Sequence, residues 1–481
     1  MNSSVIEQFM PLFAPKTVAV VGASTKGTAL PNVFIRRIRE FGYEGAIYPI
    51  HPTAAEIDGL PAYKSLGETP QPVDYAYIAI AAAQVPPLLT AANGRVRFAQ
   101  VISSGFGEVD EGKELQEQLV TAARAGGMRL LGPNCLGIYT PRGRITFAET
   151  GPKEVGNVGI ISQSGGLGTD IIRRGFNRGL KFSGLITVGN CADISPTDMI
   201  EFYLADPQTR VIGMYIETAR DGRRLFETLR EARASKPVVV LKGGRTRQGL
   251  AAAASHTGSL AGDERVWVAL AKQTGCVMVD TLDQFIDTLL VFQTLEPRPR
   301  QPTTRIVLFG NGGGASVLAT DFFARLGLDV SPFGQPTVDA LAAMRLPPGT
   351  SITNPVDCPV GTLQQDDGRV AEKILDAIYE RGSPDALVMH LNLSAFVGRT
   401  KNEVLDNLVQ AALRVQEHHP GKAHFVLVLR SDGEPRLEER RREFRARAVA
   451  LGIPVYDEMS NAGSALAAFQ AHERFRHSRS L

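Results

Sequence analysis

One histidine and one glutamate match, in residue type and in sequence position, what phosphoryl transfer through an imidazole requires. His256 lies in the segment SHTG, within a stretch of small residues that follows the apolar run PVVVLKGG, and Glu217 ends the apolar run VIGMYIE. If both runs are strands of one parallel sheet, both residues lie at its carboxyl edge, where α/β proteins bind ligands. A carboxylate that accepts a hydrogen bond from Nδ1–H fixes the imidazole tautomer and leaves Nε2 nucleophilic. The alternatives are a solvated loop histidine and an ordinary carboxylate at a strand end.

Three turns have the composition of phosphate-binding segments. Each joins an apolar run to a helical pattern, so its small residues can expose backbone N–H groups close to the positive end of a helix. The second and third turns could direct two helix ends at one phosphoryl group, although each could equally serve close packing of a helix on a sheet. The turns are Gly22-Ala23-Ser24, Ser164-Gly165-Gly166 and Gly312-Gly313-Gly314.

The turn at Gly22 suits CoA better than NAD. It lacks the G-x-G-x-x-G spacing, and the next apolar run ends in PIHP, with no acidic residue that could hold a ribose. CoA is also an adenine nucleotide with phosphates, and it does not need that acidic residue. An NAD site and a plain βα turn remain the alternatives.

Missing motifs disfavour several other chemistries. This sequence contains no GxxxxGK[ST] phosphate loop, no HExxH and no GxSxG, which argues against a Walker nucleotidase, a zinc protease and an α/β-hydrolase. The four cysteines form no CxxC pair, so neither a disulfide framework nor a metal site is expected.

The composition is that of an ordinary globular protein. Hydrophobic residues make up 43% and charged residues 21%, and the formal net charge is only +2. Such a balance provides no strong basic field for nucleic acid or an anionic membrane. The sequence shows neither a signal-peptide pattern nor an apolar run of membrane-spanning length. We therefore expect a soluble, cytoplasmic protein without nucleic-acid or membrane partners.

The elements that position these residues recur in three cycles. Short apolar runs rich in β-branched residues alternate with helical patterns, which predicts an α/β fold of three doubly wound domains. The predicted domains cover residues 1–140, 150–294 and 303–475. The proline-rich segment 295–304 is predicted to be a linker, and the basic tail 471–481 a frayed C-terminus.

The motifs together resemble a known family, the α subunits of ADP-forming acetate–CoA ligases, which are relatives of succinyl-CoA synthetase. The resemblance covers nearly the whole chain and implies a Rossmann-like CoA-binding domain followed by two flavodoxin-like ligase domains. His51 stands where the family usually has asparagine in a VNP turn. The resemblance is carried by VAVVGAS, SSGFGE (103–108), GPNCLG (132–137), ISQSGG (161–166), YIETARDGRR (215–224), ASHTGSLAG (254–262), FGNGGGASVLATD and NPVD (354–357).

The family resemblance implies a relay in three steps. A nucleoside triphosphate phosphorylates a histidine, the phosphoryl group passes to a carboxylate to give an acyl phosphate, and the CoA thiol displaces phosphate. By this resemblance His256 carries the phosphoryl group and Glu217 orients it. The residues that would bind the phosphoryl group are Ser164, Gly165, Gly166, Gly312, Gly313 and Gly314. Those implied for CoA are Gly22, Ala23, Ser24, Pro49, Ser104 and Gly105, while Asn134 and Cys135 would border the thiol and the acyl group.

The resemblance also implies a partner. The family uses an ATP-grasp module for ATP/ADP, or GTP/GDP, and Mg²⁺, and after about residue 290 this sequence has room only for the third domain. We therefore expect an ATP-grasp β subunit, in an α₂β₂ assembly, and a small carboxylic acid substrate. The alternatives are an ATP-independent acyl or carbamoyl transferase of the same superfamily and a non-catalytic CoA-binding protein. Retention of both His256 and Glu217 favours the ligase.

Overall fold

The computed structural model describes residues 3–251, 263–397 and 403–480. The chain divides into two compact units, Met1–Phe285 and Ile286–Leu481. Within the described ranges, no helix combines the length and the apolar character needed to cross a membrane.

The first unit begins with a five-stranded parallel sheet in the order β2-β1-β5-β6-β7. All residues of its first strand are buried, as expected for a parallel sheet covered on both faces. Its elements are α1 (Ser3–Phe13), β1 (Thr17–Val21), α2 (Leu30–Phe41), β2 (Ala46–Ile50), the hairpin strands β3 (Glu56–Ile57) and β4 (Leu60–Pro61), β5 (Val73–Ile78), α3 (Val85–Ala91), β6 (Val96–Val101), α4 (Lys113–Ala125) and β7 (Arg129–Leu131).

The second sheet of the first unit has the order β13-β12-β11-β9-β10-β8. Its strands are parallel except for β8, which pairs with β10 in the antiparallel sense at the edge. Its elements are β8 (Ile138–Tyr139), β9 (Val158–Ser162), α5 (Gly165–Arg178), β10 (Phe182–Thr187), α6 (Pro196–Ala205), β11 (Val211–Ile216), α7 (Gly222–Glu231), β12 (Val238–Lys242), α8 (Glu264–Thr274) and β13 (Val277–Val279). The next helix, α9 (Leu282–Thr294), contains the division between the two units.

The second unit is built on one five-stranded parallel sheet in the order β15-β14-β16-β17-β18. Its elements are β14 (Ile306–Gly310), α10 (Gly313–Arg325), α11 (Gln335–Ala343), β15 (Val356–Asp357), α12 (Val360–Leu363), α13 (Val370–Gly382), β16 (Ala386–Asn392), α14 (Glu403–His418), β17 (His424–Arg430), α15 (Pro435–Ala450), β18 (Val455–Tyr456) and α16 (Met459–Ser480).

All three sheets share one strand order. The strands of each sheet can be numbered 1 to 5 in chain order, leaving out the edge strand β8. Their spatial order across each sheet is then 2-1-3-4-5. In such sheets ligands bind beyond the carboxyl ends of the first and third strands, where the chain changes direction across the sheet. The predicted α/β, doubly wound fold class is confirmed, and in each sheet a predicted phosphate-binding turn follows the first strand.

The C-terminal tail was predicted incorrectly. Instead of fraying, it continues the helix α16 as far as Ser480. Glu473 in this helix is fully buried and accepts hydrogen bonds from the backbone N–H groups of Arg298 and Thr303, both at 2.6 Å. The tail lacked apolar periodicity because buried polar side chains occupy part of its inner face. The same bonds anchor segment 295–304, which contains no helix or strand, on the second unit.

Candidate functional site

The turn after β9 and the residue after β11 lie at neighbouring strand ends of the second sheet. Gln163 connects them. Its backbone N–H donates to the carbonyl of Tyr215 at 3.2 Å, and its Oε1 accepts from the backbone N–H groups of Glu217 and of Thr218, the latter at 2.9 Å. Its Nε2 donates to the Thr218 carbonyl at 2.8 Å. The backbone of Glu217 is therefore held at a defined position beside the Ser164 turn.

Glu217 itself is buried, with 4% of its surface exposed. Tyr215, two residues earlier on the same strand face, donates its hydroxyl to Glu217 Oε1 at 2.9 Å. Burial raises the pKa of Tyr215 and the charge of Glu217 adds to the shift, so the phenol remains a donor. Lys242 ends the adjacent strand β12; burial lowers its pKa, whereas Glu217 opposes that change.

Helix α5 begins at the predicted phosphate turn. Ser164 is its N-cap, and the Ser164 hydroxyl accepts from the backbone N–H of Leu167 at 3.3 Å. A Cβ on Gly165 would lie 2.7 Å from Leu136 Cγ, whereas a Cβ on Gly166 would meet nothing within 4 Å. Among the described residues, none accepts a hydrogen bond from the backbone N–H of Gly165 or of Gly166. The helix start therefore offers two donors, with the positive end of the helix, to an anion.

Two groups of predicted residues meet in one cleft of the first unit. This central cleft has a volume of about 410 Å³ and is lined by Ser164, Gly165 and Gly166 of the predicted phosphate residues and by Asn134 and Cys135. Burial raises the pKa of the Cys135 thiol to about 12, so this side chain forms a neutral wall of the cleft. The full lining consists of Ile102, Asn134, Cys135, Leu136, Gln163, Ser164, Gly165, Gly166, Gly189 and Asn190.

Asn190 links this cleft to the predicted CoA loop. Its Nδ2 donates to Glu108 Oε2 at 2.5 Å, and Glu108 Oε1 accepts from the backbone N–H groups of Gly105 at 2.5 Å and Phe106 at 3.2 Å. Partial burial of Glu108 favours its neutral form, but the hydrogen bonds from Asn190 and the two backbone groups outweigh that effect and lower its pKa. A charged Glu108 therefore holds the loop that carries Ser104 and Gly105.

The remaining predicted CoA residues lie along the carboxyl edge of the first sheet. Gly22 has φ +98°, and a Cβ there would lie 2.3 Å from the carbonyl oxygen of Ala79, so the turn requires glycine. The helix that follows this turn, α2, begins at Leu30, so residues 25–29 separate the turn from the helix. Asn32, in α2, connects the helix to the turn, because its side-chain oxygen accepts a hydrogen bond from the backbone N–H of Ser24 at 2.8 Å.

One further predicted CoA residue, Pro49, and the departure at His51 lie at the end of the neighbouring strand. Pro49 lies in β2 opposite Val20, at the same edge of the sheet as Gly22. His51 Nδ1 accepts from the backbone N–H groups of Thr53 at 3.2 Å and Ala54 at 2.9 Å. An asparagine side-chain oxygen could accept the same bonds, which explains how His51 can occupy this turn.

The third predicted phosphate turn already faces a carboxylate of its own chain. Gly312 is the N-cap of α10, and its backbone N–H donates to Asp357 Oδ1 at 2.8 Å. Arg430 donates to the carbonyl of Asn311 at 3.0 Å on the other side of the turn. A Cβ on Gly314 would meet nothing within 4 Å, so that residue lies in open space.

His256 lies outside the described residues, in the range 252–262, so its position relative to Glu217 remains a prediction. Among the described residues, no group of three or more His, Cys, Asp or Glu side chains is placed to hold a metal ion. Gln163, Tyr215 and Asn190 were not predicted as functional residues. Two of them lie in motifs quoted above: Gln163 is in ISQSGG, and Tyr215 opens YIETARDGRR two residues before Glu217.

The chain is similar to known proteins along nearly its whole length. A family model described as a CoA binding domain matches residues 16–141, and one described as a succinyl-CoA ligase like flavodoxin domain matches residues 155–292. The chain is 36% identical to the α subunit of ADP-forming acetate–CoA ligase I of Pyrococcus furiosus, over 97% of this chain and 98% of that protein.

A longer relative and a solved structure of similar length also match the chain. The ADP-forming acetate–CoA ligase of Methanocaldococcus jannaschii is 34% identical over 71% of this chain, but only 48% of that protein is covered. A solved structure of the Candidatus Korarchaeum cryptofilum dinucleotide-forming acetyl-coenzyme A synthetase 1, in complex with phosphate and ADP, is 31% identical. It superposes with a TM-score of 0.84 over 98% of this chain and 99% of that one.

Proposed function

The chain belongs to the family of ADP-forming acetate–CoA ligase α subunits, and from this premise we propose that it is the CoA-binding, phosphohistidine-carrying subunit of an NDP-forming acyl-CoA synthetase. The complete enzyme would convert a carboxylate, CoA and a nucleoside triphosphate into acyl-CoA, the diphosphate and phosphate. The observation that carries the proposal is the central cleft, where residues assigned to the thiol and residues assigned to the phosphoryl group line one space.

The proposed chemistry passes one phosphoryl group through two acceptors. First, Nε2 of His256 attacks the γ-phosphorus; an N–P bond forms and the P–O bond to the diphosphate breaks. Next, a carboxylate oxygen of the acid attacks the same phosphorus, which releases the imidazole and gives an acyl phosphate. Finally, the CoA sulfur attacks the acyl carbon, its proton is lost to water, and phosphate leaves.

Glu217 would prepare His256 for the first step. Its carboxylate would accept from Nδ1–H, favour the Nε2 lone pair and stabilise the positive charge that develops on the ring. The support for this role is that Glu217 is buried at a strand end and that its backbone is fixed by Gln163. Tyr215 would hold one carboxylate oxygen.

The phosphoryl oxygens would be bound at the start of α5. The N–H groups of Gly165 and Gly166 are the donors, with Ser164 as the N-cap. Gly313 and Gly314, which follow the N-cap of α10, are the second candidates. CoA would lie along the carboxyl edge of the first sheet, over Gly22-Ala23-Ser24, past Pro49 and beside Ser104 and Gly105, with its thiol directed at Asn134 and Cys135.

The nucleotide and Mg²⁺ would be bound by a second chain with an ATP-grasp fold, in an α₂β₂ assembly. Two comparisons support a second chain. The Pyrococcus furiosus relative is itself named an α subunit, and the chain spans only 48% of the Methanocaldococcus jannaschii relative, whose remaining length this chain does not match.

Phosphoryl labelling tests the proposed function. When the chain is mixed with its partner and ATP labelled in the γ position, we expect label on this chain that is labile in acid and stable in base, as a phosphoramidate is. His256→Ala should abolish both the label and ATP-dependent thioester formation but retain CoA binding. Undiminished labelling of His256→Ala would contradict the assignment.

Calorimetry on the isolated chain tests which of the two ligands, CoA or ATP, this subunit binds without its partner. The chain alone should bind CoA, because the edge of the first sheet belongs to it, and should not bind ATP. Micromolar ATP binding by the chain alone would contradict the need for a partner.

A further inference from the structure

A second, smaller cavity adjoins the central cleft. This side pocket has a volume of about 220 Å³ and shares Ile102 and Leu136 with the cleft, so the two spaces meet at these side chains. Leu136 is the residue that a Cβ on Gly165 would touch, which places the junction next to the proposed phosphoryl donors.

The inner wall of the side pocket is aromatic. Phe34 and Tyr77 lie stacked, with ring centroids 4.1 Å apart and an angle of 8° between the planes, and Phe147 also lines the pocket. All three are almost completely buried. Burial raises the pKa of Tyr77, so its phenol is neutral. The wall therefore suits an uncharged, apolar group.

The polar groups around the side pocket are engaged or exposed. Arg37 donates from one guanidinium nitrogen to the Phe147 carbonyl at 2.7 Å, and Thr169 donates its hydroxyl to the Gly165 carbonyl at 3.2 Å. Glu149 and Arg173, which carry opposite charges, are exposed. The charged groups therefore lie apart from the aromatic wall, which is the apolar part of the pocket.

The size of the side pocket exceeds what the methyl group of acetate can fill. In another protein an apolar cavity of about 150 Å³ is large enough to bind benzene. A pocket of about 220 Å³ therefore has room for a ring or a branched chain. Each methylene buried in such a pocket strengthens binding by about fourfold.

We propose that the side pocket binds the apolar tail of the carboxylic acid, and that the preferred substrate is a branched-chain or aryl-substituted acid rather than acetate. The carboxyl group would lie in the central cleft near Gly165 and Gly166, and the tail would pass Leu136 into the side pocket. This inference rests on the proposed function, because it assumes that acyl transfer takes place in the central cleft.

The test compares acetate, isovalerate and phenylacetate as substrates of the chain assembled with its partner. We expect kcat/KM for isovalerate or phenylacetate to exceed that for acetate by at least about tenfold, as the burial of two or more methylene equivalents implies. Thr169→Leu should narrow the pocket and lower kcat/KM for phenylacetate at least tenfold more than for acetate. Phe147→Ala should widen it and shift preference towards the larger acid.

Matched controls separate pocket effects from general damage. Thr121 is an exposed helical threonine that makes the same hydrogen bond to the carbonyl four residues earlier, and Phe176 is 47% exposed on α5. Thr121→Leu and Phe176→Ala should leave the ratio of phenylacetate to acetate unchanged. Since Thr169→Leu and Phe147→Ala are expected to change selectivity in opposite directions, misfolding of one leaves the other as a test.

Three outcomes would overturn the inference. Acetate could be the best substrate of the wild type, both pocket variants could alter all acids by the same factor, or Thr169→Leu could raise KM for CoA instead, which would mean that the pantetheine arm occupies the pocket. The first two leave the proposed function intact as long as acetate is converted. If the histidine is not labelled and none of the acids is converted, the proposed function fails, and this inference fails with it.

Discussion

The second and third sheets share one local design at their carboxyl edges, but they differ in what faces the helix start that follows. In both, an amide side chain directly after the first strand accepts a hydrogen bond from the end of the third strand: Gln163 from Thr218 at 2.9 Å, and Asn311 from Asn392 at 2.9 Å. In both, a glycine-rich helix start follows.

The difference lies in what faces the helix start. At α5 the donors of Gly165 and Gly166 line an open cleft, whereas at α10 the N–H of Gly312 is already bonded to the carboxylate of Asp357. A carboxylate at a helix N-terminus satisfies a backbone donor and interacts favourably with the helix dipole. This difference supports the proposal that the start of α5 binds an external anion, whereas at α10 the N-cap donor is already satisfied within the chain.

The largest effect is expected from crowding the open helix start. Gly165→Val should slow phosphorylation of the chain by about 10²- to 10³-fold, the usual effect of losing a donor to a developing charge. The added Cβ would collide with Leu136. Gly166→Ala is the matched control, because its Cβ has room, and it should change the rate less than about threefold. Labelling from ATP and calorimetry with CoA measure the two properties; a fall in CoA affinity instead would reassign the turn to CoA.

The next effect concerns the charge beside the open helix start. Glu217→Gln retains the shape of the side chain but removes its charge, so labelling should slow by about 10²-fold while CoA affinity is retained. Tyr215→Phe removes only the hydroxyl that donates to the charged Glu217 and should cost less, about tenfold, the lower end of what one hydrogen bond to a charged group contributes. If Tyr215→Phe proved more damaging than Glu217→Gln, the tyrosine and not the glutamate would be the important group.

A smaller effect is expected at the third sheet. Asp357→Asn weakens the bond to Gly312 and should lower the stability of the second unit by about 1 kcal/mol, the usual value of an acidic group at a helix start, while changing labelling less than threefold. Urea denaturation and the labelling assay measure the two quantities. A tenfold loss of labelling with unchanged stability would show that Asp357 and Gly312 take part in phosphoryl transfer, and would remove the distinction between the two helix starts.

The positions of the candidate residues at strand ends could be predicted from the sequence, because an apolar run followed by small or charged residues marks the carboxyl edge of a parallel sheet. Glu217 and Ser164 were found in this way. The bonds made by Gln163 could not be predicted, because its partner Thr218 is 55 residues away and their approach depends on strand register. The Asn190–Glu108 contact spans 82 residues and joins two sheets, which no local pattern records.

The smallest effect is expected at Glu108, whose charge is proposed to hold the loop of Ser104 and Gly105 beside the open cleft. Because its pKa is lowered in the folded state, Glu108 stabilises the first unit at pH values above its unfolded pKa of about 4.3, and this contribution is lost as the pH falls through the lower folded value. Glu108→Gln lacks this contribution at every pH. The urea midpoint of the wild type should therefore exceed that of Glu108→Gln at pH 6, and the difference should shrink between pH 4.3 and more acidic values. Glu111→Gln, an exposed glutamate nearby, is the control and should show no such trend. A difference that stayed constant with pH would mean that shape, not charge, holds the loop of Ser104 and Gly105 against the cleft.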